Sequence, residues 1–242
     1  MKWFSNKNWP IFIIAIIVFI IWQSPFLGNI RYPLMLLGTW FHEMGHGVTA
    51  LLLGGNFEYL EIYDNGGGVA YTSYLTHKLY LPYNLTRALV AFGGLIGPCV
   101  MGCILIISGI KQKTSRWMLI LLIVSIILSL IFWVKSSLGI IVLIAISIGI
   151  TFIVYLNKPT ITQWTVLFLG LQSTLSTYLQ LSYLFTSSFV RDGTINTSDT
   201  QVIADSLFGP YWMWAILIII ISAIMLWKSF TYYIKQNNNS TL

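Results

Sequence analysis

Apolar segments of spanning or near-spanning length recur along this chain, at about 9–23, 33–53, 88–110, 117–134, 138–156, 161–185 and 211–231, with polar links between them. A bilayer core about 30 Å thick needs about 20 such residues per helix, and lipid offers no hydrogen-bond partner to an open backbone. The expected fold is therefore an all-α polytopic membrane protein with six or seven transmembrane helices, a single integral membrane domain over residues 1–242. Composition agrees: 57% of residues are hydrophobic and 8% charged, and mean hydropathy is +0.79, which leaves too few charges to cover a soluble surface.

The first segment needs separate treatment, because its continuous apolar part, Ile11 to Trp22, is short and Lys2 and Lys7 precede it. Gln23-Ser24-Pro25 offers no small-x-small cleavage site, so it reads as a retained signal-anchor. The formal net charge of +6 is spread over Lys2, Lys7, Lys111, Lys113, Arg116, Lys135, Lys158, Lys228 and Lys235, near helix ends. Such cations anchor helices at the interface and do not form a phosphate-tracking patch, which excludes nucleic acid as a partner. With seven spans, the basic start and the Lys111 to Arg116 cluster fall on opposite sides, so orientation stays open. Cys99 and Cys103, four apart on one expected helix, read as small packing residues.

Inside the second apolar segment, on a helix expected over about 33–53, stand His42-Glu43-Met44-Gly45-His46. Residues four apart share a helix face, so His42 and His46 can hold one zinc ion while Glu43 reaches the water that attacks. Ionisable groups at bilayer depth cost about 2.5–3.5 kcal/mol each even on lenient scales, so stability alone does not favour this trio. The alternative, two hydrogen-bonded core histidines with a glutamate facing a neighbouring helix, requires the histidines, the glutamate and the intramembrane setting to coincide by chance.

After Gly54-Gly55, the stretches Phe57 to Tyr63 and Val69 to Tyr74 flank Asp64-Asn65-Gly66-Gly67-Gly68, which predicts a β-hairpin over about 56–75. It is either an interfacial loop anchored by tyrosines or a strand edge that captures an unwound substrate segment. Gly93 and Gly97 make a GxxxG spacing that permits close helix approach. Segment 161–185 carries Gln163, Gln172, Ser173, Thr174, Ser176, Thr177 and Gln180, which should face the protein interior.

Three protein ligands are usual at a catalytic zinc, so two histidines leave one place to fill. The candidate segment is about 187–210, where Thr197-Ser198 reads as the cap of a short helix ended by Gly209-Pro210. Asp199, at that helix start, is the first choice, ahead of Asp192 and Asp205, although it could equally be a capping residue. His77 reads as solvated, and Glu58, Glu61 and Asp64 as hairpin residues.

At these residues the chain resembles the site-2-protease class of intramembrane zinc metallopeptidases, and more closely the M50B-like branch. The elements that carry the resemblance are His42-Glu43-Met44-Gly45-His46-Gly47, Gly66-Gly67-Gly68, Gly93-Gly94-Leu95-Ile96-Gly97-Pro98 and Ser198-Asp199. The resemblance implies a multi-pass zinc protease, expected in the cell membrane, that cleaves membrane protein or peptide substrates within or beside their transmembrane segments. It implies His42, His46 and Asp199 as Zn2+ ligands and Glu43 as catalytic base. The Asn-Pro and Leu-Asp-Gly pattern that carries the aspartate in better-known members is absent. The competing expectation is a non-catalytic membrane scaffold that retains a metal-site remnant; a transporter is disfavoured because no internal repeat is visible.

Overall fold

A computed structural model of the chain describes residues 8–179, 181–191 and 193–239. Helix α1 (Trp9–Gln23) has Pro10 in its first turn, where a missing N–H costs nothing. It stops at Ser24, whose extended backbone suits the following Pro25. A short 3-10 turn leads into α2 (Gly28–Leu52), which carries the histidines and bends 89° away from α1.

The end of α2 is set by its glycines. Gly54 adopts φ +84°, its N–H bonds to the Leu51 carbonyl, and the Gly55 N–H bonds to the Ala50 carbonyl at 2.9 Å. This pair of bonds closes the helix and turns the chain directly into strand β1 (Asn56–Ile62). Strand β2 (Gly68–Ser73) pairs with it antiparallel, Leu60 opposite Ala70 and Ile62 opposite Gly68. The expected hairpin is thus present, and two contacts fold it back onto α2: Thr39 donates to the Gly66 carbonyl at 2.6 Å and Tyr32 to the Asp64 carbonyl at 2.9 Å.

Four long helices follow, α3 (Tyr83–Ser108), α4 (Gln112–Phe132), α5 (Ser137–Tyr155) and α6 (Pro159–Leu179). The link between α4 and α5 covers the outer edge of β1, since the Leu60 N–H bonds to the Trp133 carbonyl and the Lys135 N–H to the Leu60 carbonyl. A short helix α7 (Leu181–Leu184) precedes a second hairpin, β3 (Ser188–Arg191) with β4 (Thr194–Thr197). Helices α8 (Asp199–Ser206) and α9 (Tyr211–Asn239) complete the order. One buried cluster joins α2, β1, α4, α5 and α6; a second joins α1, α3, α6 and α9; a third joins α3, α8 and α9.

Among the described residues, α3, α4, α5 and α9 are each long and apolar enough to cross a membrane, with a fifth span if bent α1 and α2 count as one. Six or seven spans are not reached on that test. The reason is physical: α1 has only 15 residues, and α6 carries its polar side chains inward, with Gln172, Ser173, Thr174, Ser176 and Thr177 all buried. Trp22 donates to the Gln172 side chain and Ser173 to the Pro98 carbonyl. Gln180 lies outside the described residues.

Candidate metal centre

Helix α2 turns His42, Glu43 and His46 toward one cavity because it packs tightly on α3 along glycines. A methyl group on Gly97 would come within 2.9 Å of the Phe41 carbonyl oxygen, and one on Gly45 would overlap the Gly93 carbonyl. The GxxxG pair therefore meets Gly45 of the histidine motif, and Gly94 lies against the His46 ring. Without side chains at these points, the backbone of α3 comes close enough for the Val90 carbonyl to reach His46 Nδ1 at 2.9 Å. A hydrogen bond there places the ring proton on Nδ1 and leaves the Nε2 lone pair free.

Helix α8 supplies the third group. Ser198 is its N-cap, the hydroxyl accepting from the Gln201 N–H at 3.3 Å. Asp199 is thereby released from capping and points to the histidines: Oδ2 lies 3.1 Å from His42 Nε2 and 3.4 Å from His46 Nε2, and the two Nε2 atoms are 3.0 Å apart. Tyr183, on α7, donates to the same Oδ2 at 3.0 Å. Burial opposes the charge on Asp199, but the facing imidazoles hold its carboxyl below the usual range.

This donor set fits zinc. Two imidazole nitrogens and a carboxylate oxygen are the ligand types zinc takes, and donors about 2.0–2.2 Å from a common ion stand at separations close to those seen here. Among the described residues these are the three acids and histidines whose donor atoms all lie within 4.8 Å of one another. Glu43 is 4% exposed and lines the same cavity of about 220 Å3, its Oε1 so close to β2 that a methyl on Gly68 would come within 2.7 Å.

The other candidates lie elsewhere. Asp205 accepts from the Gln201 side chain at 2.7 Å on the exposed face of α8. Glu58 accepts from Ser73, and Glu61 from Tyr63, within the first hairpin. His77 is exposed on a 3-10 turn after that hairpin. Asp192 lies outside the described residues.

Three participants escaped the sequence reading. The Val90 carbonyl and the Tyr183 hydroxyl leave no motif. Arg191, on β3, closes one side of the cavity: it donates to the Gly68 carbonyl at 2.8 Å and lies over the rings of Tyr63 at 5.0 Å and Phe189 at 5.1 Å. The strand that carries it did leave a signal, Asp192-Gly193 between two β-prone pairs, with Gly193 at φ +74°.

The open edge of β2 also faces this cavity. Leu60 spends its N–H and carbonyl on the α4–α5 link, so the Leu60–Ala70 pair exchanges no bonds, and the Ala70 N–H and carbonyl point away from β1. Gly68, two residues along, has the same orientation, as its bond to Arg191 requires. Gly68, Ala70 and Thr72 all line the cavity beside the histidines.

Comparison with curated proteins and with solved structures returns no match. The sequence model of the Peptidase M50B-like family matches residues 11–229, more than nine-tenths of the chain. A match over that share of the chain shows the family, and the chain belongs to the Peptidase M50B-like family.

Proposed function

We propose that this protein is an intramembrane zinc metalloprotease that hydrolyses peptide bonds within or next to transmembrane segments of membrane proteins, in the cell membrane. The observation that supports this reading most strongly is the convergence of His42 Nε2, His46 Nε2 and Asp199 Oδ2 beside a buried glutamate at one cavity. His42, His46 and Asp199 would hold the ion. Bound zinc supplies a Lewis acid that makes water nucleophilic near neutral pH and polarises the scissile carbonyl. Glu43 takes the proton of the attacking water and passes it to the leaving amine. Val90 and Tyr183 keep His46 and Asp199 aimed.

A helix hides its peptide bonds, so a membrane substrate has to be held extended. The outward N–H and carbonyl of Ala70 offer main-chain pairing alongside the metal donors, which makes β2 the edge to which a substrate strand adds. The bundle forms one integral membrane domain with six passages: bent α1 and α2 together, then α3, α4, α5, α6 and α9.

The test is elemental analysis of detergent-purified protein together with cleavage of single-span membrane proteins in liposomes. One zinc per chain is expected, lost in His46→Ala and in Asp199→Ala. Glu43→Gln should retain the zinc and lose turnover by about 10²–10⁴-fold, the usual contribution of a general base. Wild-type protein that binds zinc but cleaves nothing would favour a scaffold, and cleavage by metal-replete Glu43→Gln would remove Glu43 from its role.

A further inference from the structure

The acidic side chains of the described residues all lie at one end of this protein, and the other end carries cations alone. The start of α1, the end of α3 and the end of α9 come together: the Asn8 and Asn238 side chains are hydrogen bonded, and Ile11, Ile106, Tyr233 and Ile234 share one buried cluster. The α5–α6 link joins the same end, since the Arg116 side chain donates to Asn157 and the Gln163 side chain to the Gly109 carbonyl. Lys111, Lys113, Arg116, Lys158 and Lys235 are exposed there, and Lys228 is exposed two turns before Lys235 on α9. Among the described residues no aspartate or glutamate lies at that end.

The opposite end carries the two hairpins, α8 and the candidate metal centre, and its charges are of both signs. Glu58, Asp64 and Asp205 are exposed there. Its arginines are half-buried and occupied: Arg87 lies over the Tyr83 ring and Arg191 over Tyr63 and Phe189, while Arg31, near the bend between α1 and α2, lies over Trp22. Of its cations, Lys78 and Lys135 are the exposed lysines.

We propose that the basic end faces the anionic headgroups of the cytoplasmic leaflet and that the cavity with His42, Glu43, His46 and Asp199 opens from the opposite side of the membrane. Lysine and arginine in short links next to membrane helices fix orientation, and lipid of negative surface potential holds them. The clash between the start of the chain and Lys111 to Arg116 disappears, because bent α1 and α2 make one passage and α3 then returns the chain to the end where it began. A substrate segment must therefore reach the open edge of β2 from the non-cytoplasmic side. The orientation itself does not depend on catalysis.

Thiol accessibility tests this on the full chain. Cys99 and Cys103 are buried, so added cysteines report alone. Thr76→Cys and Gln112→Cys place single exposed thiols at the cavity end and the basic end. Intact cells are treated with a membrane-impermeant maleimide before and after permeabilisation. Thr76→Cys should label fully in intact cells, and Gln112→Cys only after permeabilisation. The reverse pattern, or equal labelling of both in intact cells, overturns the proposal. Changing Lys111, Lys113, Arg116 and Lys158 together to Gln in each background should make Gln112→Cys partly reactive in intact cells; unchanged labelling would show that these cations do not set the orientation.

Discussion

Asp199 holds its place through two neighbours that do different things. Ser198 takes over the cap of α8, which frees the carboxylate, and Tyr183 fixes one of its oxygens by a 3.0 Å hydrogen bond. Groups that orient a metal ligand in this way typically contribute about 10–100-fold to metal affinity. Tyr183→Phe removes only the hydroxyl, and its ring contact with Phe189 at 5.8 Å can persist. Zinc affinity measured by chelator competition should fall by about that factor while the protein stays folded. Unchanged affinity would show that the histidines alone aim Asp199.

At the level of elements, the site depends on how closely α3 approaches α2. A methyl at Gly94 would fall on the His46 ring, so Gly94→Ala should displace the imidazole and release zinc, although alanine favours a helix by about 0.5–1 kcal/mol over glycine. Gly149 in α5 has nothing within 4 Å of such a methyl, and Gly149→Ala, which should keep full zinc, is the control. The strand edge can be tested separately. Ala70→Pro deletes an N–H that faces the cavity and not β1, so zinc content should hold while cleavage drops; unchanged cleavage would exclude pairing at this edge. The helix with the histidines and the first hairpin were legible because each has a short-range signature: an i, i+4 motif in an apolar run, and glycines between β-prone stretches. Asp199 was reachable as the best-placed acid before the last helix. Tyr183, the Val90 carbonyl and the Arg191 clamp were not, because they act through contacts between elements far apart in sequence. The 89° bend was hidden for a related reason: Ser24-Pro25 predicts a break but not the direction the chain takes after it.

For the whole molecule, the candidate metal centre is also a tie between distant parts of the chain. It joins α2 to α8, and α8 rests on α3 and α9 through Ile203, Ala88 and Ile218. The second hairpin is held to the first by Arg191, through its bond to the Gly68 carbonyl and its place over the Tyr63 ring. An ion that binds the folded protein and not the unfolded chain adds stability that grows with its excess, about 4 kcal/mol at a thousandfold excess over Kd. Its removal does more than subtract that stability: two imidazoles and a carboxylate at hydrogen-bond distance must then satisfy one another in a buried site. Chelation should therefore lower the Tm of the purified protein, and added zinc should restore it. In His46→Ala the Tm should start lower and respond to neither treatment. Equal sensitivity to chelator in wild type and His46→Ala would place the stabilising ion elsewhere, and a wild-type Tm indifferent to chelator would mean that α8 is held without the ion.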